Sequence, residues 1–297
     1  MTIKKKNLFI VSLLFLINPL FAQISDECQK TNPVLELFGS NAKTLNLKGN
    51  VAQMHEQQFS INAKGDKTEN ELINTFYKFS TEGATKEFEQ NYKYLKSEKH
   101  FFSYTNKGYI SHVDIETLDL TKKKDTLTTT LDSTAVNEPL EPFFSTVDCK
   151  YVQKKNILYK GEEFIEGSSP KKTTRKESFY HFNDYDQIVL INHQSDSIST
   201  KYIYDANGLV KETQTFKSDV LSHKNIYKYD HDNNLINITT INSDNTTKYP
   251  NKEIAITYKF DPKGNIIEKK MMAYLYSPKG IKEFIEGFLN VYNYVYL

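Results

Sequence analysis

Arginine, cysteine and tryptophan are nearly missing from this chain, and each scarcity narrows what it can do. Among 38 basic residues only Arg175 is an arginine. The guanidinium is the group suited to a bidentate grip on phosphate, so this composition argues against nucleic acid as a partner. The formal net charge of +1 adds no global attraction to nucleic acid or anionic lipid. With only two cysteines, Cys28 and Cys149, the chain is not a disulfide-dense scaffold. Two readings of that pair stay open: one disulfide tying the N-terminal segment to the middle of the chain, or two separate buried thiols. Eleven glycines and eight prolines exclude a collagen-like or low-complexity chain. Tryptophan is absent, yet 20 tyrosines and 19 phenylalanines supply abundant aromatic surface of the kind that favours strands.

Long apolar runs are also missing, except at the amino terminus. Lys4, Lys5 and Lys6 precede an apolar stretch from Leu8 to Phe21, interrupted by Ser12 and by Asn18-Pro19, and Ala22 supplies a small residue for cleavage. A core this short reads as a signal peptide over residues 1–22, because a spanning helix needs about 20 apolar residues. Cys28 lies past this core with no small-residue lipobox before it, which argues against a lipid anchor. No later segment approaches a helical span. The mature chain is therefore expected to be soluble and exported: periplasmic, secreted or at the cell surface.

What organises the rest is a repeat: two aromatics two residues apart, three loosely polar residues, then Gly, Asn or Asp, then an apolar residue. Copies run from Tyr77-x-Phe79 to Gly83, from Phe102-x-Tyr104 to Gly108, and from Tyr180-x-Phe182 to Asp186. Three more run from Tyr202-x-Tyr204-Asp205 to Gly208, from Tyr227-x-Tyr229-Asp230 to Asn233, and from Tyr258-x-Phe260-Asp261 to Gly264. Phe59-x-Ile61 to Gly65 looks like a degenerate first copy. Aromatics two apart share one face of a strand. Asp bonds forward to the backbone, and Gly or Asn tolerates positive φ, so each copy predicts a β-hairpin. A lone hairpin cannot bury its own face, so neighbours must pair or stack.

The pattern lapses between Ile115 and Arg175, where Lys122 to Ser133 is polar and Pro139 and Pro142 punctuate a linker. The expected organisation is an N-terminal segment (23–48), first hairpins (49–114), an insertion or linker with a degenerate repeat (115–178), and the main hairpin array (179–297). At the C-terminus Tyr292, Tyr294 and Tyr296 alternate, which favours a closing strand from about Phe288 over a helix. The fold class expected is all-β, with tandem antiparallel hairpins forming an extended twisted sheet or an open solenoid-like array.

Tyr202-Ile203-Tyr204-Asp205-Ala206-Asn207-Gly208, with Tyr227 to Asp230 and Tyr258 to Gly264, resembles the YD repeat of Rhs-type proteins. In large members of that family such repeats build a spiral β-shell. The resemblance implies a hairpin scaffold here, in a short exported form like those of Bacteroidota-type bacteria. The copies look too few to close a shell.

Chemistry is sparse. Asp230-x-Asp232-x-Asn234 begins like a calcium loop but lacks the following glycine and the closing glutamate, so a plain turn is expected. The seven histidines show no helical metal spacing, and no Gly-x-Ser-x-Gly elbow or glycine-rich phosphate loop is present. Glu162 and Glu163 point apart on a strand. No cofactor, no metal and no catalytic residue are assigned, and the chain is read as non-enzymatic. The residues singled out are the repeat signature itself, in a structural or binding role. The expected partner is a glycan or an envelope protein. The alternatives are an assembly factor pairing through an exposed sheet edge, or, with less support, a polysaccharide-acting enzyme.

Overall fold

The computed structural model describes residues 31–93, 95–121, 142–166 and 172–297. The expected signal peptide, Cys28 and the polar stretch from Lys122 to Ser133 lie outside the described residues. Within them are a short helix α1 (Leu35–Phe38) and sixteen strands. The first half holds β1 (Val51–Ile61), β2 (Lys67–Phe79), β3 (Thr85–Tyr92), β4 (Lys96–Tyr104) and β5 (Ile110–Asp119). Then come β6 (Phe143–Lys154), β7 (Ile157–Glu166), β8 (Lys172–Phe182), β9 (Ile188–His193), β10 (Ile198–Tyr204) and β11 (Val210–Lys217). The series ends with β12 (Val220–Tyr229), β13 (Leu235–Asn242), β14 (Lys252–Phe260), β15 (Ile266–Tyr276) and β16 (Lys282–Tyr296).

Every strand pairs antiparallel with its sequence neighbours, and β1 pairs with β16 from Val51↔Tyr296 to Ser60↔Phe288. The sheet is thus a closed sixteen-strand barrel. The all-β class stands, but the extended twisted sheet or open solenoid-like array does not. Two physical reasons account for the difference. An open array leaves rows of unpaired N–H and C=O groups at both ends, which closure satisfies. The chain also holds more hairpins than the aromatic signature marks. β6 and β7, inside the stretch read as an insertion or linker, pair over ten residue pairs without a Tyr-x-Tyr-Asp motif.

Closure gives the wall two chemically distinct faces. Apolar inward rows run across strands, Leu158 to Tyr180 to Ile191 and Ile238 to Ile254 to Ala273, and the same face also carries the Lys160–Glu162 pair. All six apolar side chains are essentially inaccessible to water. Some polar residues on this face are hydrogen-bonded to each other, Thr213 to Tyr227 at 2.9 Å and Thr240 to Asn225 at 2.8 Å. Outward rows carry cross-strand ion pairs: Lys78–Glu87 at 2.7 Å, Lys99–Glu89 at 3.8 Å and Lys259–Glu268 at 2.7 Å. On the same face His112 contacts Asp148 at 2.7 Å and Asp114 at 3.0 Å. These carboxylates, Asp148 first, raise the imidazole's pKa.

One mouth of the barrel is closed by the N-terminal segment. Alternate connections of an up-and-down barrel lie at the same end, so the turns 80–84, 105–109, 205–209, 230–234 and 261–265 share a mouth. Residues 32–50 form a strap across it. On one side the Ala42 amide donates to the Gly83 carbonyl at 2.9 Å, and the Thr85 hydroxyl donates to the Ser40 carbonyl. On the other side the Asn265 carboxamide holds the Lys48 amide at 2.6 Å and its carbonyl at 2.9 Å. Between these clasps Leu37, only 1% exposed, projects into the core beside Val34 and Phe38. The turn of the degenerate copy, 62–66, follows β1 and so lies at the opposite end, out of phase with the main series.

Candidate functional site

The signature residues do local structural work. At each turn the aspartate accepts two backbone N–H groups. Asp205 Oδ1 takes those of Asn207 and Leu209, both at 2.9 Å, and Asp261 Oδ1 takes those of Lys263 and Asn265 at 2.9 and 2.8 Å. Gly208 and Gly264 sit at φ 80° and 87°, the left-handed region the turn requires, and Asn233 takes that place at 65°. Asp230 also accepts from the Asn234 side chain through both oxygens, at 3.2 and 3.0 Å. Those contacts hold Asp230 below the usual carboxylate range. The Asp230-x-Asp232-x-Asn234 segment is therefore closed on itself as a turn, with N–H donors where a cation would need free oxygens.

The signature tyrosines face inward. Tyr202 and Tyr227 are buried in the wall, each 4% exposed, while Phe260 at the rim is 42% exposed. The Tyr204, Tyr229 and Tyr258 hydroxyls donate to the carbonyls of Ile188, Val210 and Leu235 at 2.7, 2.8 and 2.8 Å. Tyr104, Tyr151 and Tyr294 make the same contact with Thr85, Ile110 and Ile266. In each case the acceptor is the first residue of the preceding strand, beside the register shift that follows the turn. Burial pushes the Tyr204 hydroxyl up to about 12, so it remains a donor at any physiological pH. Tyr229→Phe is expected to cost about 1 kcal/mol, the net value of one such bond, plus part of the penalty for the abandoned Val210 carbonyl. Urea unfolding checks this, and an unchanged midpoint would make the contact incidental.

Cys149 is a free thiol among the described residues and faces the interior beside Tyr151. Burial raises its pKa against the opposing charge of Lys160, which itself pairs with Glu162 at 2.9 Å. Cys28, the other cysteine, lies outside the described residues.

Among the described residues, a small half-open cavity lies under the strap. A cavity of about 150 Å³ is lined by Gly39 and Ser40 of the strap, Tyr77 of β2, Thr85 and Phe88 of β3, and His100, Phe102 and Tyr104 of β4. Register explains the convergence: Tyr77 lies opposite Phe88 and Phe88 opposite His100, so their side chains share the inner face. The rings meet edge to face at 5.1 Å for Tyr77–Phe88 and 5.2 Å for Phe88–His100. His100–Phe102 and Phe102–Tyr104 continue the lining as stacked pairs at 6.2 and 6.4 Å. Beside the cavity, Glu98 lies 3.9 Å from the His100 imidazole and 2.8 Å from the Lys96 ammonium. His100 first, then Lys96, hold the Glu98 carboxyl down at about 2 against the opposing effect of burial. Tyr77 is pushed well above its usual range by burial and by Glu56, whose carboxylate it meets.

Sequence reasoning does not select this cavity. His100-x-Phe102-x-Tyr104 was a readable signal, three rings on one strand face, but the opposing wall comes from β2, β3 and the strap.

No family model matches the chain, and no curated protein matches it. Among solved structures it is similar to a porin-like protein from Bacteroides uniformis, at 9% identity and TM-score 0.34, over 84% of this chain and 99% of that one. A porin-like protein from Bacteroides vulgatus gives 13% identity and TM-score 0.28, over 83% and 99%. The TcdB2-TccC3-TEV structure gives 10% identity and TM-score 0.24, over 77% of this chain and 15% of that one. Superpositions this loose indicate a general β-rich likeness and no more.

Proposed function

We propose that this protein is an exported, non-enzymatic β-barrel acting as a binding module of the cell envelope, with the cavity under the strap as its site. The carrying observation is that cavity, of about 150 Å³, whose walls are five ring side chains. Ligand sites are concave and mostly apolar, with a few placed polar groups. The outer wall supports a water-facing barrel: a lipid-facing one needs an apolar band about 25 Å tall, and a lysine or arginine at its midplane costs about 2–4 kcal/mol. Here that face carries the Lys99–Glu89 pair in mid-strand, with Lys78–Glu87 and Lys259–Glu268 close to the strapped mouth. The hairpin unit is proposed to share its design with YD-repeat proteins, on the strength of the Tyr-x-Tyr-Asp turns.

Two earlier expectations narrow accordingly. The tyrosine rows point inward, so a long glycan has no aromatic ribbon to stack on. The closed sheet has no free edge, so assembly by strand pairing lacks its template. A small ring-bearing ligand is the reading that remains.

A thermal-shift and ligand-observed NMR screen of the mature chain, against one-ring aromatics, monosaccharides, cell-wall fragments and calcium, tests it. A ligand that binds only the folded state adds about 2.7 kcal/mol at 100 times its Kd, a measurable shift. The expected result is binding by one class that is lost in Ser40→Phe, which fills the cavity from the strap. Binding by no class, or binding that survives Ser40→Phe, would overturn the assignment.

A further inference from the structure

We propose that one half of the rim opposite the strap docks on the surface of an anionic phospholipid bilayer. The proposal is independent of what the cavity under the strap holds.

Topology collects the residues. Connections that follow odd-numbered strands lie at the end opposite the strap, and β15, β16, β1, β2, β3 and β4 are consecutive around the closed wall. The connections after β15, β1 and β3 are therefore neighbours on one side of that rim. Large apolar side chains gather there. Leu275, Ile281 and Ile285 flank the first connection, Leu95 lies in the third, and Phe143 and Phe144 follow where β6 begins. They are 39% to 58% exposed, so each has apolar area still to remove from water.

Charge follows the same division. The three connections on this side carry Lys64, Lys93 and Lys279 against one acid, Asp66. Across the rim the connections 194–197, 218–219 and 243–251 reverse the sign, with Asp196, Asp219 and Asp244 against Lys248. Among the described residues of that half, Val220 is the one large apolar side chain left exposed. A net charge of +1 thus conceals a rim whose halves differ.

This mixture selects the occupant. The core of a protein–protein interface is depleted in lysine. Anionic headgroups attract lysine, whose long stem rests on apolar ground while its ammonium reaches the phosphates. Apolar tips on separate hairpins, with lysines between them, suit a fluid surface that moulds to each one. The outer wall behind the rim limits the depth. There Gln57 donates to Glu71 at 2.7 Å and Lys282 to Glu253 at 2.9 Å, and such groups are costly to remove from water. The tips enter the headgroup layer and the barrel stays outside it.

The absence of tryptophan supplies the test. Leu95→Trp, Ile281→Trp and Val220→Trp each give the mature chain a single reporter at an exposed site. These chains are titrated with phosphatidylcholine vesicles, with and without one-third phosphatidylglycerol. Emission of the Leu95 and Ile281 variants should shift to the blue with the anionic vesicles only, and that of the Val220 variant should stay in place. Adding Lys64→Gln and Lys279→Gln to the Ile281 variant should weaken binding about 25-fold, about fivefold for each lysine near an anionic surface. No shift in the Leu95 and Ile281 variants overturns the proposal. An equal shift in the Val220 variant does the same, since the whole mouth would then adhere without regard to its halves. Equal binding to pure phosphatidylcholine, or unchanged binding after the lysine substitutions, overturns the anionic assignment. A blue shift that rises with protein concentration and needs no vesicles gives the rim to a second copy of this chain, and also overturns the proposal.

Discussion

Leu37→Ala is expected to destabilise the strapped mouth by about 2–5 kcal/mol, the range for removing a fully buried leucine side chain. Leu37 is 1% exposed and belongs to the same core as Tyr180, Tyr202, Tyr227 and Ile238. Helix α1 is four residues long, far below the length at which a helix stands alone in water. Its conformation therefore depends on tertiary contacts. Phe38 stacks edge to face on Tyr109 at 5.0 Å, but it is Leu37 that enters the core. The truncation should leave the strands paired and release the strap. Hydrogen exchange would then quicken at residues 35–47 well before it quickens in β10 to β14. A loss under about 1 kcal/mol, with exchange in the strap unchanged, would show that the clasps hold the segment without the plug.

Asn265→Leu tests the clasp itself and is expected to cost about 2–4 kcal/mol. Asn265 is 1% exposed, and its carboxamide engages three groups at once: the Lys48 amide, the Lys48 carbonyl and the Tyr296 hydroxyl, at 2.6, 2.9 and 2.8 Å. Leucine keeps the bulk but leaves the Lys48 amide and carbonyl without a partner, at about 1–3 kcal/mol for each one that stays buried, while the Tyr296 hydroxyl keeps its bond to Asp261. Tyr296 also donates to Asp261 at 2.6 Å and lies under the Lys263 ammonium, 3.2 Å from its ring centre. The clasp thus joins the β14–β15 turn, the end of β16 and the strap. Urea unfolding of Asn265→Leu and Asn265→Asp separates the contributions. Aspartate retains the acceptor for the Lys48 amide and loses both donated bonds, so it should fall between the parent and leucine. Equal stability of all three chains would remove the clasp from the account of how the mouth is closed.

Both substitutions act on the cavity from a distance. Gly39 and Ser40 form its roof, and the strap that carries them is fixed on one side by Ala42 and Thr85 and on the other by Asn265. A ligand that contacts the roof binds the strapped form in preference to the open one, so it should restore part of the stability lost in Leu37→Ala.

The turns were legible in the sequence because their causes are local. Asp205, Asp230 and Asp261 each satisfy amides two and four residues ahead, and the positive φ at Gly208, Asn233 and Gly264 is a property of single positions. The same locality makes Tyr292, Tyr294 and Tyr296 readable as a strand, although β16 begins earlier than expected, at Lys282. Strands β6 and β7 were hidden because they lack the aromatic pair, and a count based on that pair falls short of the strands needed to close. The segment 23–48 gave no sign of its role as a strap, since Leu37 acquires a partner only when the far wall exists.

The sequence by itself determined the hairpins: which residues turn, which alternate, and which aromatics share a face, because these follow from backbone dihedrals and a two-residue period. The tertiary structure alone decided that the array closes, that its signature tyrosines face inward, and that a strap and three strands line a half-open cavity. Those outcomes depend on pairs such as Met54 with Tyr294 and Lys48 with Asn265, more than two hundred residues apart, whose meeting is set by strand number and register around the whole barrel.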